Sequence, residues 1–175
     1  MLGENVLPIN TEEKLHGAAV LRLWEELGSA FPNKNFSLRK GISRNSYSLH
    51  AHLPKIIGRG KFLGAGMFIK ISNKRLSPWR YNFSKENQDE ILHLKQTYGE
   101  VFAIFVAGND GFACLDFDRL KEILDDHHES QEWVSVSRKH RENYRVTGND
   151  GDLERTLPQN AFPTVIIDYF KIRLR

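Results

Sequence analysis

The sequence predicts an α/β protein: a mixed central sheet with α-β-β-β-α-β core order, flanked by helices and followed by a C-terminal β-hairpin extension. Three observations carry this. Apolar residues recur at helical spacing over 11–27 and 84–98, alternate at strand spacing over 47–53, and run unbroken over 101–107. Turn-forming residues separate these segments, most clearly as GNDG at 108–111 and again at 148–151. At 175 residues, 40% hydrophobic and 27% charged, the chain suits a single globular domain over 1–175 with a real core.

The elements follow in order. Asn10 and Glu13 form a capping pair for a first helix over 11–27, whose apolar face is Leu15, Ala19, Val20, Leu23, Trp24 and Leu27, with Gly28 as its stop. The polar, basic stretch 29–46 holds a turn at FPNKNF and then an irregular segment or a short strand near Phe36–Lys40. In YSLHAHL at 47–53, Tyr47, Leu49, Ala51 and Leu53 take one face of a strand, and Ser48, His50 and His52 the other, exposed one. Gly58, Gly60, Gly64 and Gly66 fit a flexible glycine hairpin feeding a strand Met67–Ser72. They do not fit a dinucleotide-binding loop, because a strand follows them where a helix should start. Their lack of side chains permits a close backbone approach, and with Arg59 and Lys61 interleaved the approaching group is expected to be phosphate.

A turn at 73–78 leads to a strand Trp79–Phe83. Ser84 then caps a second helix, with Ile91, Leu94 and Tyr98 inward and Gly99 as its stop. Residues 100–107 (EVFAIFVA) have the composition of a central strand, returning through Phe112–Leu115. Asp116 caps a third helix to about Leu124, and DDHHES makes an acidic, exposed loop. A hairpin joins Trp133–Ser137 to Tyr144–Thr147. The C-terminal TVIIDYFKIRLR is compatible with helix or strand.

Charge is the most informative feature. Residues 27–85 contain no Asp or Glu but hold 12 Lys and Arg, leaving 13 basic against 22 acidic residues in the other 116. The net charge of +3 hides this asymmetry, which points to a polyanionic partner. Nucleic acid is the expected partner, DNA in the first instance, held by its phosphates through Arg39, Lys40, Arg44, Arg59, Lys61, Lys70, Lys74, Arg75 and Arg80. Arg138, Lys139 and Arg141 form a second basic cluster at the hairpin tip, and Trp79, beside Arg75 and Arg80, is a candidate for stacking on bases. No helix-turn-helix, zinc-finger or RNA-recognition signature is present to read base sequence. A single Cys114 and scattered histidines argue against zinc or an iron–sulfur cluster, and no cofactor is expected. The lone thiol, the acidic N-terminus and the lack of a long apolar run lead one to expect a cytoplasmic protein without membrane contact. The opposed charges of the two parts of the chain also allow a homodimer or a protein-interaction module.

The element order over about 11–115 resembles the core of the restriction-endonuclease-like, or PD-(D/E)XK, superfamily. The run 66–115 resembles Holliday-junction resolvases in particular. The matching features are Phe68-Ile69-Lys70 on one strand, Tyr81-Asn82-Phe83 on the next, Gln88 on the helix, and Gly99-Glu100-Val101-Phe102. Residues 116–175 would be an extension of helix, hairpin and C-terminal segment. The resemblance implies a fold that cuts phosphodiesters with a divalent metal held by an Asp and a (Glu/Asp)-x-Lys pair. Here the chain departs from the pattern. With Lys70 as the lysine, the carboxylate position holds Phe68, and no carboxylate lies between Glu26 and Glu86. A Mg²⁺-dependent endonuclease would therefore need Glu25 or Glu26 to converge with Glu86, Asp89 or Asp116. The expectation is a fold that keeps phosphate binding without this metal site.

Overall fold

A computed structural model of the chain describes residues 8–53, 62–127 and 130–175. The elements, in chain order, are α1 (Thr11–Ala30), β1 (Phe36–Lys40), β2 (Ser46–His52), β3 (Phe62–Ser72), β4 (Trp79–Phe83), α2 (Lys85–Tyr98), β5 (Val101–Ala107), β6 (Gly111–Asp116), α3 (Phe117–Lys121), β7 (Glu132–Ser137), β8 (Arg145–Gly148) and α4 (Ala161–Arg173). Five strands form a mixed sheet in the order β1-β2-β3-β5-β6, and three form an antiparallel sheet in the order β4-β7-β8. Within the larger sheet only β3 and β5 are parallel. Four strands precede α2 where the predicted order has three: the 36–40 segment is a strand of the large sheet, and Trp79–Phe83, expected in the core order, leaves that sheet to pair with the C-terminal hairpin.

Both faces of the large sheet are covered. On one face Leu49, Met67, Ile69, Phe102 and Ile104 pack against α1 and α4 through Leu23, Leu27, Ile166 and Phe170. On the other, Phe68, Ala103, Phe105 and Leu115 pack against α2, α3 and the small sheet through Leu94, Leu120, Tyr81 and Val134. β5 is buried at all seven positions, as its unbroken apolar run requires.

Local signals decide the helix ends. Asn10 and Glu13 close a reciprocal capping box on α1, and Ser84 and Asn87 do the same on α2. Gly99 ends α2 in the left-handed region at φ 79°. Gly28 does not stop α1, which continues through it to a C-cap at Phe31 because Phe31 is buried against Phe36 and the last turn is held down by packing. The third helix is shorter than expected, although Leu120, Ile123 and Leu124 all face inward. The ambiguous C-terminal segment is helical, since its apolar residues meet two layers at once. Tyr169 packs edge-on to Phe102 and donates its hydroxyl to the Gly64 carbonyl at 3.0 Å.

The glycines of β3 serve packing. A Cβ on Gly66 would lie 2.8 Å from Leu94 Cβ, and one on Gly64 would lie 2.9 Å from Tyr98 Cδ1. The group that approaches these two glycines is therefore helix α2; Gly58 and Gly60 lie outside the described residues. Gly66→Val should lower the unfolding free energy by about 1–3 kcal/mol through overpacking. The expected readout is a lower urea midpoint with an unchanged m-value.

Candidate nucleic-acid interface

The pairing of β3 with β5 sets the geometry. Ser72 lies opposite Ala107, so both strands end at the same edge of the fold. β2 runs the other way and begins there, with the Asn45 carbonyl accepting from Ile69 N–H, and Lys40 at the end of β1 pairs with Tyr47 at the start of β2. Four connections thus gather at this end: 41–45, 73–78, 108–110 and 138–144. The last is brought in by contacts, as Arg138 N–H donates to Ser77 Oγ and the Arg138 side chain grips Asp110. Two basic clusters that are about 60 residues apart in the chain become neighbours here, across a cleft of about 210 Å³ lined by Arg75, Ser77, Arg138, Lys139 and His140. Ligands of open α/β sheets sit outside the carboxyl ends of the strands, where these connections gather.

The run without acidic residues is not free of acid in space. Glu90 of α2 accepts from Ser43 N–H at 3.0 Å and from Ser46 Oγ, tying the 41–45 connection to the helix. Burial alone would raise the Glu90 carboxyl, but these hydrogen bonds and the Lys40 charge hold it below its ordinary value. Glu12 of α1 pairs with the exposed Arg44 at 3.2 Å. Asp110 takes two charge-assisted bonds from Arg138, at 2.6 and 2.8 Å, and accepts the Tyr144 hydroxyl at 2.8 Å. These acids position the basic groups. Arg39, Lys74, Arg75, Lys139 and Arg141 stay exposed and form no ion pair with any described residue.

Lys40 lies over the Tyr47 ring, 4.0 Å from its centre, and donates to the Arg44 carbonyl. Beneath it His16 of α1 sits 2.8 Å from the Tyr47 hydroxyl through Nδ1, while its Nε2 is buried without a partner. Burial and the Lys40 charge push the His16 imidazole below its ordinary range, with Glu12 opposing. These side chains line a groove of about 500 Å³ between α1 and the β1–β2 edge.

Lys70 is half-buried rather than free on a surface. Its Nζ donates to Asn87 Oδ1 at 2.6 Å and lies 5.0 Å from the Phe83 ring centre. Burial, with Arg44 adding, lowers its ammonium to about 8. Phe68, which takes the carboxylate position of the resembled motif, is fully buried in the core.

Several expected contacts lie elsewhere. Trp79 is 2% exposed; it packs between the sheets and donates Nε1–H to the Lys74 carbonyl, so it cannot stack on a base. From the same strand the exposed Arg80 lies over the half-buried Trp133 ring of β7, 4.2 Å from its centre. Arg59 and Lys61 lie outside the described residues. His50 and His52 do not form an exposed pair. His50 is buried, 2.9 Å from Ser48 Oγ and edge-on to Tyr98, because α2 covers that face of β2.

The carboxylates that would make an unconventional metal set are not gathered. Glu25 and Glu26 sit near the end of α1, which comes to rest beside the start of β1, whereas Glu86 and Asp89 occupy the first turns of α2 near Lys70. Asp116 caps α3 at the opposite end of β6 from the 108–110 turn. Among the described residues the group with oxygen atoms close enough to hold a cation is Asp125, Glu132 and Asp150. Glu132 there is buried and accepts from Gln88 Nε2 at 2.6 Å, which ties β7 to α2. Sequence reasoning missed this group because its members come from three separate turns and strands. No helix among the described residues is long and apolar enough to cross a membrane.

Comparison with family models, with curated proteins and with solved structures finds no match for the chain. The functional reading therefore rests on the geometry of the basic end.

Because the folded-state pKa of Glu90 is depressed, its stabilisation is present above its ordinary value of 4.5 and is lost as pH falls below it. Glu90→Gln should flatten the acid limb of the stability–pH curve in that window, as read by urea midpoints at successive pH values.

Proposed function

We propose that the chain binds nucleic acid, taken as DNA from its resolvase-like order of elements, and that the end of the large sheet is the phosphate-contacting face. The observation that carries the proposal is the convergence of segments 40–44, 70–75 and 138–141 at the carboxyl ends of β3 and β5. Arg75, Lys74, Lys139 and Arg141 are exposed there, while Asp110 and Glu90 hold the connections in place. Cations on short, anchored connections lose little side-chain and loop freedom when they meet a phosphate backbone, which favours binding.

The contacts are of the positioning kind. Arginine and lysine neutralise phosphates and release counterions, an energy that is indifferent to base sequence. The groove beside Tyr47 and the Arg80–Trp133 stack supply aromatic surface for unpaired bases. Phe68 stands buried where the resembled nuclease motif would carry a metal-binding carboxylate, which favours binding over metal-dependent cutting.

A filter-binding titration over salt tests the reading. Affinity should fall linearly on a log–log plot as salt rises, and the double variant Arg75→Ala, Lys139→Ala should reduce the slope by roughly two. Absence of binding to DNA and RNA at low salt, or binding that salt does not weaken, would rule it out.

A further inference from the structure

Lys70 is half-buried, and no carboxylate among the described residues forms an ion pair with it. A half-buried ammonium ordinarily has a carboxylate partner, because desolvating the charge is costly. Lys70 instead has the neutral amide oxygen of Asn87 at 2.6 Å and the Phe68 and Phe83 rings at 5.9 and 5.0 Å. The nearby Arg44 disfavours the charge further, and burial lowers the ammonium to about 8. A fraction of the side chain is then neutral amine near neutral pH, which is the nucleophilic form.

Lys70 also opens on a cleft of about 200 Å³ that it shares with Glu12, Arg44, Asn45, Ile71 and Asn73. Three chemically different groups therefore face one space: an amine, a carboxylate and a guanidinium. Glu12 and Arg44 are already in contact at 3.2 Å, so the carboxylate is oriented and the guanidinium keeps free donors. The cleft lies at the same sheet end as the basic connections, next to where a bound strand would run.

We propose that this cleft acts on abasic sites in DNA, with Lys70 attacking the aldehyde of the ring-opened deoxyribose, Glu12 taking the neighbouring carbon proton and Arg44 receiving the departing phosphate. The inference rests on the DNA-binding reading above and adds an activity to it. The Lys70 amine adds to the aldehyde carbon, and loss of water forms a protonated imine. Glu12 removes the proton from the adjacent carbon, and the electron pair moves into a new C=C bond as the next C–O bond to phosphate breaks. The strand ending in a 5′-phosphate leaves with that oxygen. Water then hydrolyses the imine, returning the Lys70 amine and releasing an unsaturated aldehyde on the other strand end. Nothing is oxidised or reduced in the cycle, and every proton is accounted for by Glu12, Lys70 and water.

The test uses the full chain with a duplex oligonucleotide carrying one abasic site, in EDTA, with and without sodium borohydride. Borohydride reduces the imine to a stable amine, so a covalent protein–DNA adduct should form, and peptide mapping of the wild-type adduct should place it on Lys70. Without borohydride the strand should be cut at the abasic site. Lys70→Met should lose the adduct, and Glu12→Gln should keep the adduct while slowing cleavage roughly a hundredfold. Retention of the oligonucleotide without an adduct would overturn this inference alone, as would an adduct mapped to another lysine. Cleavage by Glu12→Gln at the wild-type rate would remove Glu12 as the base. Failure to retain the oligonucleotide at low salt would overturn the DNA-binding reading and this inference together.

Discussion

The parallel pairing of β3 with β5 is the constraint on which the rest of the structure depends. Two adjacent parallel strands cannot be joined by a tight turn; the chain must cross over from the end of one to the start of the other. Here the crossover is β4 and α2, and α2 lies directly on β3 because Gly64 and Gly66 remove the side chains that would hold it off. The arrangement of the connections at this end of the sheet follows. The crossover begins where β3 ends, the 108–110 turn begins where β5 ends, and the antiparallel neighbours β2 and β1 bring the 41–45 connection to the same edge.

β4 extends that consequence to the C-terminal part of the chain. Having left the large sheet, it pairs with β7 and thereby draws the hairpin tip at 138–144 to the 73–78 turn. The small sheet is stabilised by the core it shares with α2 and the large sheet, in which Tyr81, Phe83 and Phe105 pack ring against ring. Side-chain contacts hold the connections at this end: Glu90 and Glu12 anchor 41–45, Asp110 joins 108–110 to 138–144, and Ser77 ties 73–78 to Arg138.

Much of the fold was legible in the residues. The capping box at Asn10–Glu13, the Ser84 cap, the Gly99 stop and the unbroken apolar run of β5 each have a local cause, and each appears where the pattern placed it. The less successful expectations concern groups whose environment is made by distant chain. Trp79, between arginines, suits either a stacking surface or a half-core position, and the second sheet closes over it completely. His50 alternates as an exposed position, yet α2 lies on that face. Lys70 looks like one more cation in a basic run, yet the first turn of α2 takes it out of water and gives it an amide partner.

By itself the sequence determined the fold class, the principal helix and strand segments and the separation of charge along the chain. Those properties depend on periodicity, capping and composition, which act over a few residues. Only the tertiary structure decided which cations are free and which are paired, which end of the sheet they share, and that Lys70 faces Glu12 and Arg44 across one cleft. Ion pairing and burial act through space over a few ångströms, between residues such as Asp110 and Arg138 that the chain itself keeps far apart.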